Sequence, residues 1–510
     1  MDEFDYIIIG SGAGGGTIAS KLVKTNKRIL IIERGPFLQR GIENWQPKEV
    51  FYKGKYAPPE KWLDEKKKEF IPGTHYFVGG NTKFYGAALL RLRENDFNDI
   101  KHYGGTSPAW PLKYKDFQPY YNEAEVLYEV HGKRGEDPTE PPETNEYAFP
   151  EVSHEPQMQE IFDKLIKENH KPFHLPLGIR LKEKDMVNSL CVRCETCDGY
   201  PCLVKAKSDA QHICLDKVLL NDNVTLITEA KVCKLLTDDS GTNVTSVLVE
   251  RDGKGETYHG KTVIVSCGAI NSAVLFLRSK CNKHPNGLAN SSDQVGRNYM
   301  CHQNSVILGI HKYKNKMKFQ KTLGLNDFYH KADDSEFPLG HIQMLGKVEA
   351  DMLKGDAPFF TPNFVLEYLA SHSIGWWLTS EDLPLSENRV LVDENNRINL
   401  LYTINNREAH KRLKKKLEKI LNFTGHRFHI SNSAYLKNRL PIAAVAHQVG
   451  TMRFGTDPKT SVLDTNCKVH DLENVYVVDG SFFPSSGAVN PGLTIIANAL
   501  RIGDHLAEKQ

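Results

Sequence analysis

The sequence predicts an α/β protein, α+β over its full length, organised around a Rossmann-like dinucleotide-binding domain. The first observation behind this is a complete βαβ pattern at the amino end, DYIIIGSGAGGGTIASKLVKTNKRILIIE from Asp5 to Glu33. The second is the return of β-rich runs much later, at Asn223 to Leu236 and Lys261 to Ser266. The third is a turn-bounded pair, NRVLVDENNRINLLYTIN from Asn388 to Asn405, which reads as a hairpin. A chain of 510 residues is long enough for one large or two to three ordinary domains.

In the first unit, the run Tyr6 to Ile9 leads into Gly10-x-Gly12-x-x-Gly15, then a helical stretch through Leu22 and a second apolar run, Ile29 to Ile32. Gly10 permits the tight turn, Gly12 lets the backbone approach a pyrophosphate, and Gly15 allows the helix to pack closely on the strand. The phosphates are expected at the helix N-terminus, where unpaired N–H groups and the helix dipole favour an anion. Glu33, with Arg34 beside it, closes the second strand where a carboxylate can accept hydrogen bonds from ribose hydroxyls. The unit does not choose between FAD and NAD.

Charge narrows the partners. Lys and Arg total 65 against 63 Asp and Glu, a net charge of +2 that offers no steering toward nucleic acid. The partner expected is therefore a small molecule, and self-association into a homo-oligomer is left open. MDEFDYIIIGSG enters a strand with no basic n-region or apolar h-region before it, and apolar runs such as Thr494 to Leu500 fall short of the roughly 20 residues that span a bilayer. No membrane association and a cytoplasmic location are expected. The ten cysteines should then be mostly thiols or metal ligands.

A second glycine-rich stretch runs from His75 to Arg91, HYFVGGNTKFYGAALLR. Together with GAINSAVLFLRS (Gly268 to Ser279), VGRNYMCH (Val295 to His302) and the segment from His447 to the end, it resembles the glucose–methanol–choline (GMC) family of FAD-dependent oxidoreductases, and within it the pyranose-oxidase-like branch. The resemblance runs from Asp5 to Leu506 with the blocks in family order. It implies the GMC fold: a discontinuous FAD-binding domain (1–125, 190–310 and 440–510) and a substrate-binding domain (126–189 and 311–439) whose antiparallel sheet covers the flavin. It also implies that Gly79, Gly80, Asn81 and Thr82 lie near the flavin, that the backbone at Val232 meets adenine, and that Gly268 closes over the pyrophosphate. Members that attach FAD covalently use a histidine where this chain has Phe84, so non-covalent FAD is expected.

At the carboxyl end, VAHQVGTMRFGTDP holds His447 after an apolar run, Ile442 to Ala446, placing it at a strand end. Histidine suits the removal of a hydroxyl proton because its ordinary pKa, near 6.5, lies close to neutral. The resemblance makes His447 the base and Asn490 its partner, an amide that can donate to the substrate oxygen without competing for the proton. It puts Asp479 and Gly480 by the ribityl chain or pyrophosphate, and Pro491, Gly492 and Leu493 at the start of a helix whose dipole stabilises negative charge on reduced flavin.

Two further stretches invite chemistry. LCVRCETCDGYPCLVKA carries Cys191, Cys194, Cys197 and Cys202. Their spacing could wrap an iron–sulfur cluster or zinc, or they could be packed thiols or a local disulfide. SHSIGWWLTSEDLPLSENRVLVD puts Trp376 and Trp377 near Glu381. Aromatic faces beside carboxylates suit a sugar, with Gln448 near the base as a further contact, although both tryptophans would also serve as sheet core. The activity expected is oxidation of a sugar or glycoside hydroxyl, a secondary pyranose hydroxyl giving a keto-sugar, with dioxygen or another electron acceptor. The alternatives are a primary alcohol of an aminosugar or other polyol giving an aldehyde, and a non-catalytic flavoprotein carrier.

Overall fold

The computed structural model describes residues 3–142, 145–354, 357–358, 360–426, 428–431 and 446–509. Two large sheets organise them. In the first, the strand Glu3–Ile9 pairs in parallel with Ile29–Ile32 on one side and Lys254–Val265 on the other. Tyr6 to Ile9 and Ile29 to Ile32 are buried throughout, the continuous apolar pattern of parallel strands covered on both faces. Val224–Ile227 extends the parallel sheet past Ile29–Ile32, and Val475–Val477 pairs with the end of Lys254–Val265. Two antiparallel strands, Val244–Arg251 and Ala230–Thr237, complete seven.

The chain's ends meet on this sheet. The helix Ala13–Leu22 leaves the first strand at once, and the final helix Gly492–Glu508 packs along it. A Cβ built on Gly503 would come within 2.7 Å of Lys21 Cβ, so the two helices touch backbone to side chain.

The second sheet has six strands, in the order Phe428–Ser431, Gln303–Ile310, Ser373–Ser380, His341–Met344, Leu323–Leu325 and Pro172–His174, all paired antiparallel. The helices Pro156–Lys167 and Arg407–Thr424 cover its back. In the latter, Leu413, Leu417, Ile420 and Leu421 enter the core while the lysines remain outside, as their helical spacing predicts.

Two placements differ from the segment boundaries read in the sequence. Gln303–Ile310, at the end of an expected FAD segment, is a strand of the antiparallel sheet. The hairpin Arg389–Val392 with Ile398–Leu401 forms, but it joins Trp62–Leu63 and Glu69–Phe70 in a separate four-stranded sheet. The charge-rich stretch Glu60 to Phe70 is therefore a strand pair, with its apolar Trp62 and Leu63 turned inward.

Candidate active site

A cavity of about 790 Å³ lies between the two sheets. This is within the roughly 300–1,000 Å³ usual for cofactor and ligand sites. Its walls include Gly10, Gly12, Glu33, Arg34, Gly80, Asn81, Thr82, Val232, Gly268, Asp479, Gly480, Asn490, Pro491, Trp377, His447 and Gln448. Residues from both ends of the chain thus share one space.

At one end the fold builds a cradle whose charged side chains are held by protein partners. Gly10 has φ of +95°, and a Cβ there would lie 2.2 Å from Ser266 O; a Cβ on Gly15 would lie 1.9 Å from Gly10 O. Gly15 thus works beneath the cavity, by letting helix and strand touch, and does not line it. Glu33 accepts hydrogen bonds from Ser11 N at 3.1 Å, Ser11 Oγ at 2.6 Å and Gly35 N at 2.9 Å. Burial pushes its pKa up, opposed by these donors. Asp479 is held similarly, by Gly268 N at 3.0 Å, Ser481 N at 2.9 Å, and the hydroxyls of Ser272 and Ser481; burial pushes it up as well. Arg34 lies 3.6 Å over the Tyr76 ring and pairs with Glu60 at 3.1 Å. Near Val232 the pairing register shifts between Val232 and Lys234, a bulge that leaves the intervening backbone off the ladder at the cavity wall.

The loop over the cavity's middle is anchored from below. Gly79, at φ of +96°, donates its N–H to Ser11 Oγ at 3.1 Å; Asn81 Oδ1 accepts from His75 N at 2.9 Å; Thr82 Oγ1 accepts from Ala210 N at 3.0 Å. Phe84 stacks on His75 with ring centroids 3.9 Å apart. These residues fit a dinucleotide cofactor: backbone N–H groups at a helix start, a carboxylate closing the second strand, and room that side chains would fill.

The opposite end carries the reactive groups. His447 immediately precedes the short strand Gln448–Val449, so it opens a strand where the sequence reading had it ending one; Ile442 to Val445 of its apolar run lie outside the described residues. Its Nδ1 sits 3.0 Å from His302 Nδ1, and the Trp377 ring centroid is 6.4 Å from its own. Burial, with His302 and His341 nearby, holds the His447 pKa well below the ordinary histidine value, so the ring is neutral at neutral pH. Asn490 faces the same cavity just before the final helix, and no hydrogen bond engages its amide among the described residues. Leu493 is fully buried beneath it, a core residue of that helix and no part of the wall.

The partner that touches His447 is therefore His302, which the sequence reading passed over inside VGRNYMCH. Only its strand start, just before Gln303–Ile310, turns it toward His447.

Three further expectations change. Trp376 and Trp377 are neighbours on the strand Ser373–Ser380, so they point to opposite faces. Trp377 lines the cavity; Trp376 is wholly buried among Met344, Leu378 and the covering helices. Glu381 does not reach the cavity. It is buried beneath the Ser485 to Asn490 loop, accepting from Ser107 Oγ and from Gly487 N at 3.2 Å, with His102 Nε2 3.1 Å away. The cysteine loop closes around a lysine instead of a metal: Lys207 Nζ donates to the carbonyls of Cys197 and Tyr200, each at 2.8 Å. Cys191, Cys194, Cys197 and Cys202 are free thiols, burial pushes Cys191 up to about 12, and no group of three or more His, Cys, Asp or Glu side chains among the described residues is placed to hold a metal. The loop's own contribution to the cavity is Glu195, Asp198 and Gly199.

Among the described residues, no helix is long and apolar enough to cross a membrane.

Comparison with known proteins agrees with this architecture. GMC oxidoreductase domain models match residues 174–304 and 384–499. Paromamine 6'-oxidase of Streptomyces fradiae is 30% identical, over 98% of this chain and 90% of its own length. The 6'''-hydroxyparomomycin C oxidase of Streptomyces lividus is 28% identical, over 99% and 92%. Among solved structures, pyridoxine 4-oxidase of Mesorbium loti superposes with a TM-score of 0.66 over 99% of each chain at 17% identity. Formate oxidase of Aspergillus oryzae gives 0.69 over 100% and 99% at 15%. With its glycine-rich cradle, its covering antiparallel sheet and these relatives over nearly its whole length, the chain belongs to the GMC oxidoreductase family.

Proposed function

We propose that this protein oxidises a primary alcohol of an aminosugar to an aldehyde, with non-covalent FAD as cofactor and His447 as the base. The observation that carries the reading is the meeting, in one cavity, of a dinucleotide cradle with a neutral histidine and an unengaged amide. FAD, when bound, supplies the hydride acceptor. The residues do the rest. His447 takes the hydroxyl proton, for which a neutral imidazole is required. Asn490 donates a hydrogen bond to the substrate oxygen as negative charge develops there. Trp377 packs against the sugar's C–H face, and Gln343 and Gln448 line the space beside it.

The choice of a primary hydroxyl over the secondary pyranose hydroxyl rests on the two oxidases at 30% and 28% identity, whose names refer to paromamine and hydroxyparomomycin. Phe84 offers no nucleophile for a covalent link to the cofactor. The test is anaerobic addition of paromamine, of neutral glycosides and of simple primary alcohols to the purified yellow protein. Bleaching by paromamine supports the reading. Bleaching by neutral pyranosides alone would assign the secondary hydroxyl, and bleaching by none would favour a carrier. Recovery of colour on admitting air then shows whether dioxygen accepts the electrons.

A further inference from the structure

We propose that His302 is a positioning residue that sets the tautomer of His447, with the Ser486 carbonyl as the fixed end of the relay, so that His447 presents a bare Nε2 to the cavity. The proposal rests on the reading of His447 as the base and adds how that base is kept in its working form.

The geometry decides the direction of the hydrogen bond. His302 and His447 meet Nδ1 to Nδ1 at 3.0 Å. A neutral imidazole has one N–H and one lone pair, so one ring donates and the other accepts. His302 Nε2 lies 3.4 Å from Ser486 O, and a carbonyl oxygen can only accept. The hydrogen of His302 therefore belongs on Nε2, its Nδ1 carries the lone pair, and His447 must donate from Nδ1. That leaves His447 Nε2 without a hydrogen. In the reverse arrangement His302 Nε2 would turn a lone pair toward the carbonyl and His447 would carry its hydrogen on Nε2, where it could not take a proton from an alcohol.

The Ser486 carbonyl is held by the surrounding loop. Ser486 Oγ donates to Asp382 O at 3.0 Å and accepts from Asp382 N at 3.2 Å, while Gly487 N donates to Glu381 Oε1 at 3.2 Å. Glu381 thereby gains a role the cavity denies it: it anchors the loop that orients His302. The third imidazole nearby, His341, does not compete, because its Nδ1 lies 2.7 Å from Asn326 Oδ1 and its Nε2 3.0 Å from Gln343 Oε1. Burial holds His302 down to about 4, so both rings of the pair are neutral and the tautomer is the variable that matters.

The experiment has two readouts. In the holoenzyme with 15N-labelled histidine, long-range 1H–15N correlations, assigned through His302→Asn and His447→Ala, report which ring nitrogens carry hydrogen. The expected pattern is His447 protonated on Nδ1 and bare on Nε2, with His302 the reverse. A hydrogen on His447 Nε2 overturns the proposal. The second readout is the rate of anaerobic bleaching. His302→Asn keeps an oxygen that can accept from His447 Nδ1 and should retain the rate within about tenfold, whereas His302→Leu should lose about 100-fold with KM little changed. Equal losses in the two, at matched melting temperature and flavin content, overturn it. If no alcohol bleaches the wild-type protein, the proposed function fails while the nitrogen shifts still decide the relay.

Discussion

The two ends of the cavity spend their polar groups differently. At the nucleotide end, Glu33, Asp479 and Arg34 are already committed to protein partners. At the far end, among the described residues, Asn490 has none and the His447 ring is bonded through Nδ1 alone. The first end has its charged side chains held by folding; the second keeps side-chain capacity for a reacting molecule. A change at the first should therefore remove the cofactor, and a change at the second should leave it bound and idle.

The largest effect is expected from Gly15→Ala. Its Cβ would lie 1.9 Å from Gly10 O, and backbone cannot yield as a side-chain tip can. The variant should purify without yellow colour; a normal flavin content would contradict the cradle. His447→Ala belongs to the other end and should keep full flavin content while the anaerobic bleaching rate falls about 10²–10⁴-fold.

The adjacent tryptophans sharpen the contrast on a single strand. Trp376→Ala empties a wholly buried site and should lower stability by about 3–5 kcal/mol in a denaturant titration. Trp377→Ala should leave stability nearly unchanged and raise KM two- to tenfold, the loss of about 0.5–1.5 kcal/mol of ring contact. Matching effects in the two would place both side chains on one face.

A further test varies pH. His302 and His341 are buried with pKa values depressed to about 4, so below 6.5 the unfolded chain binds more protons than the folded one. Their contribution is complete above 6.5 and is lost as pH falls toward 4, at about 1.4 kcal/mol per unit for each. Unfolding free energies from urea titrations at pH 7 and pH 5 should differ accordingly, by about 4 kcal/mol for the pair. Because His447 is depressed too, the bleaching rate should show no ionisation near 6.5.

Legibility in the sequence followed how local each signal was. The βαβ unit could be read because Gly10 to Glu33 form strand, turn, helix and strand within one stretch, and the structure places that unit at the centre of the first sheet. His447 and Asn490 could be paired only through resemblance, and both do face one cavity. The His302 contact could not be read, since it depends on antiparallel pairing between Met300–Cys301 and Gln448–Val449, far apart in the chain. Trp376 and Glu381 were misplaced for the same reason: strand register decides which face a side chain takes, and composition carries no register. The four cysteines had a metal-like spacing, but the cation their loop encloses is Lys207, contributed from just beyond the motif.

His447 carries the chemistry proposed for the cavity. Single-turnover bleaching of the His447→Ala protein by paromamine under anaerobic conditions, beside the wild type at equal flavin content, tests it directly. The expected result is a bound, oxidised flavin reduced at least 100-fold more slowly than in the wild type. Reduction at the wild-type rate would contradict the assignment of the base.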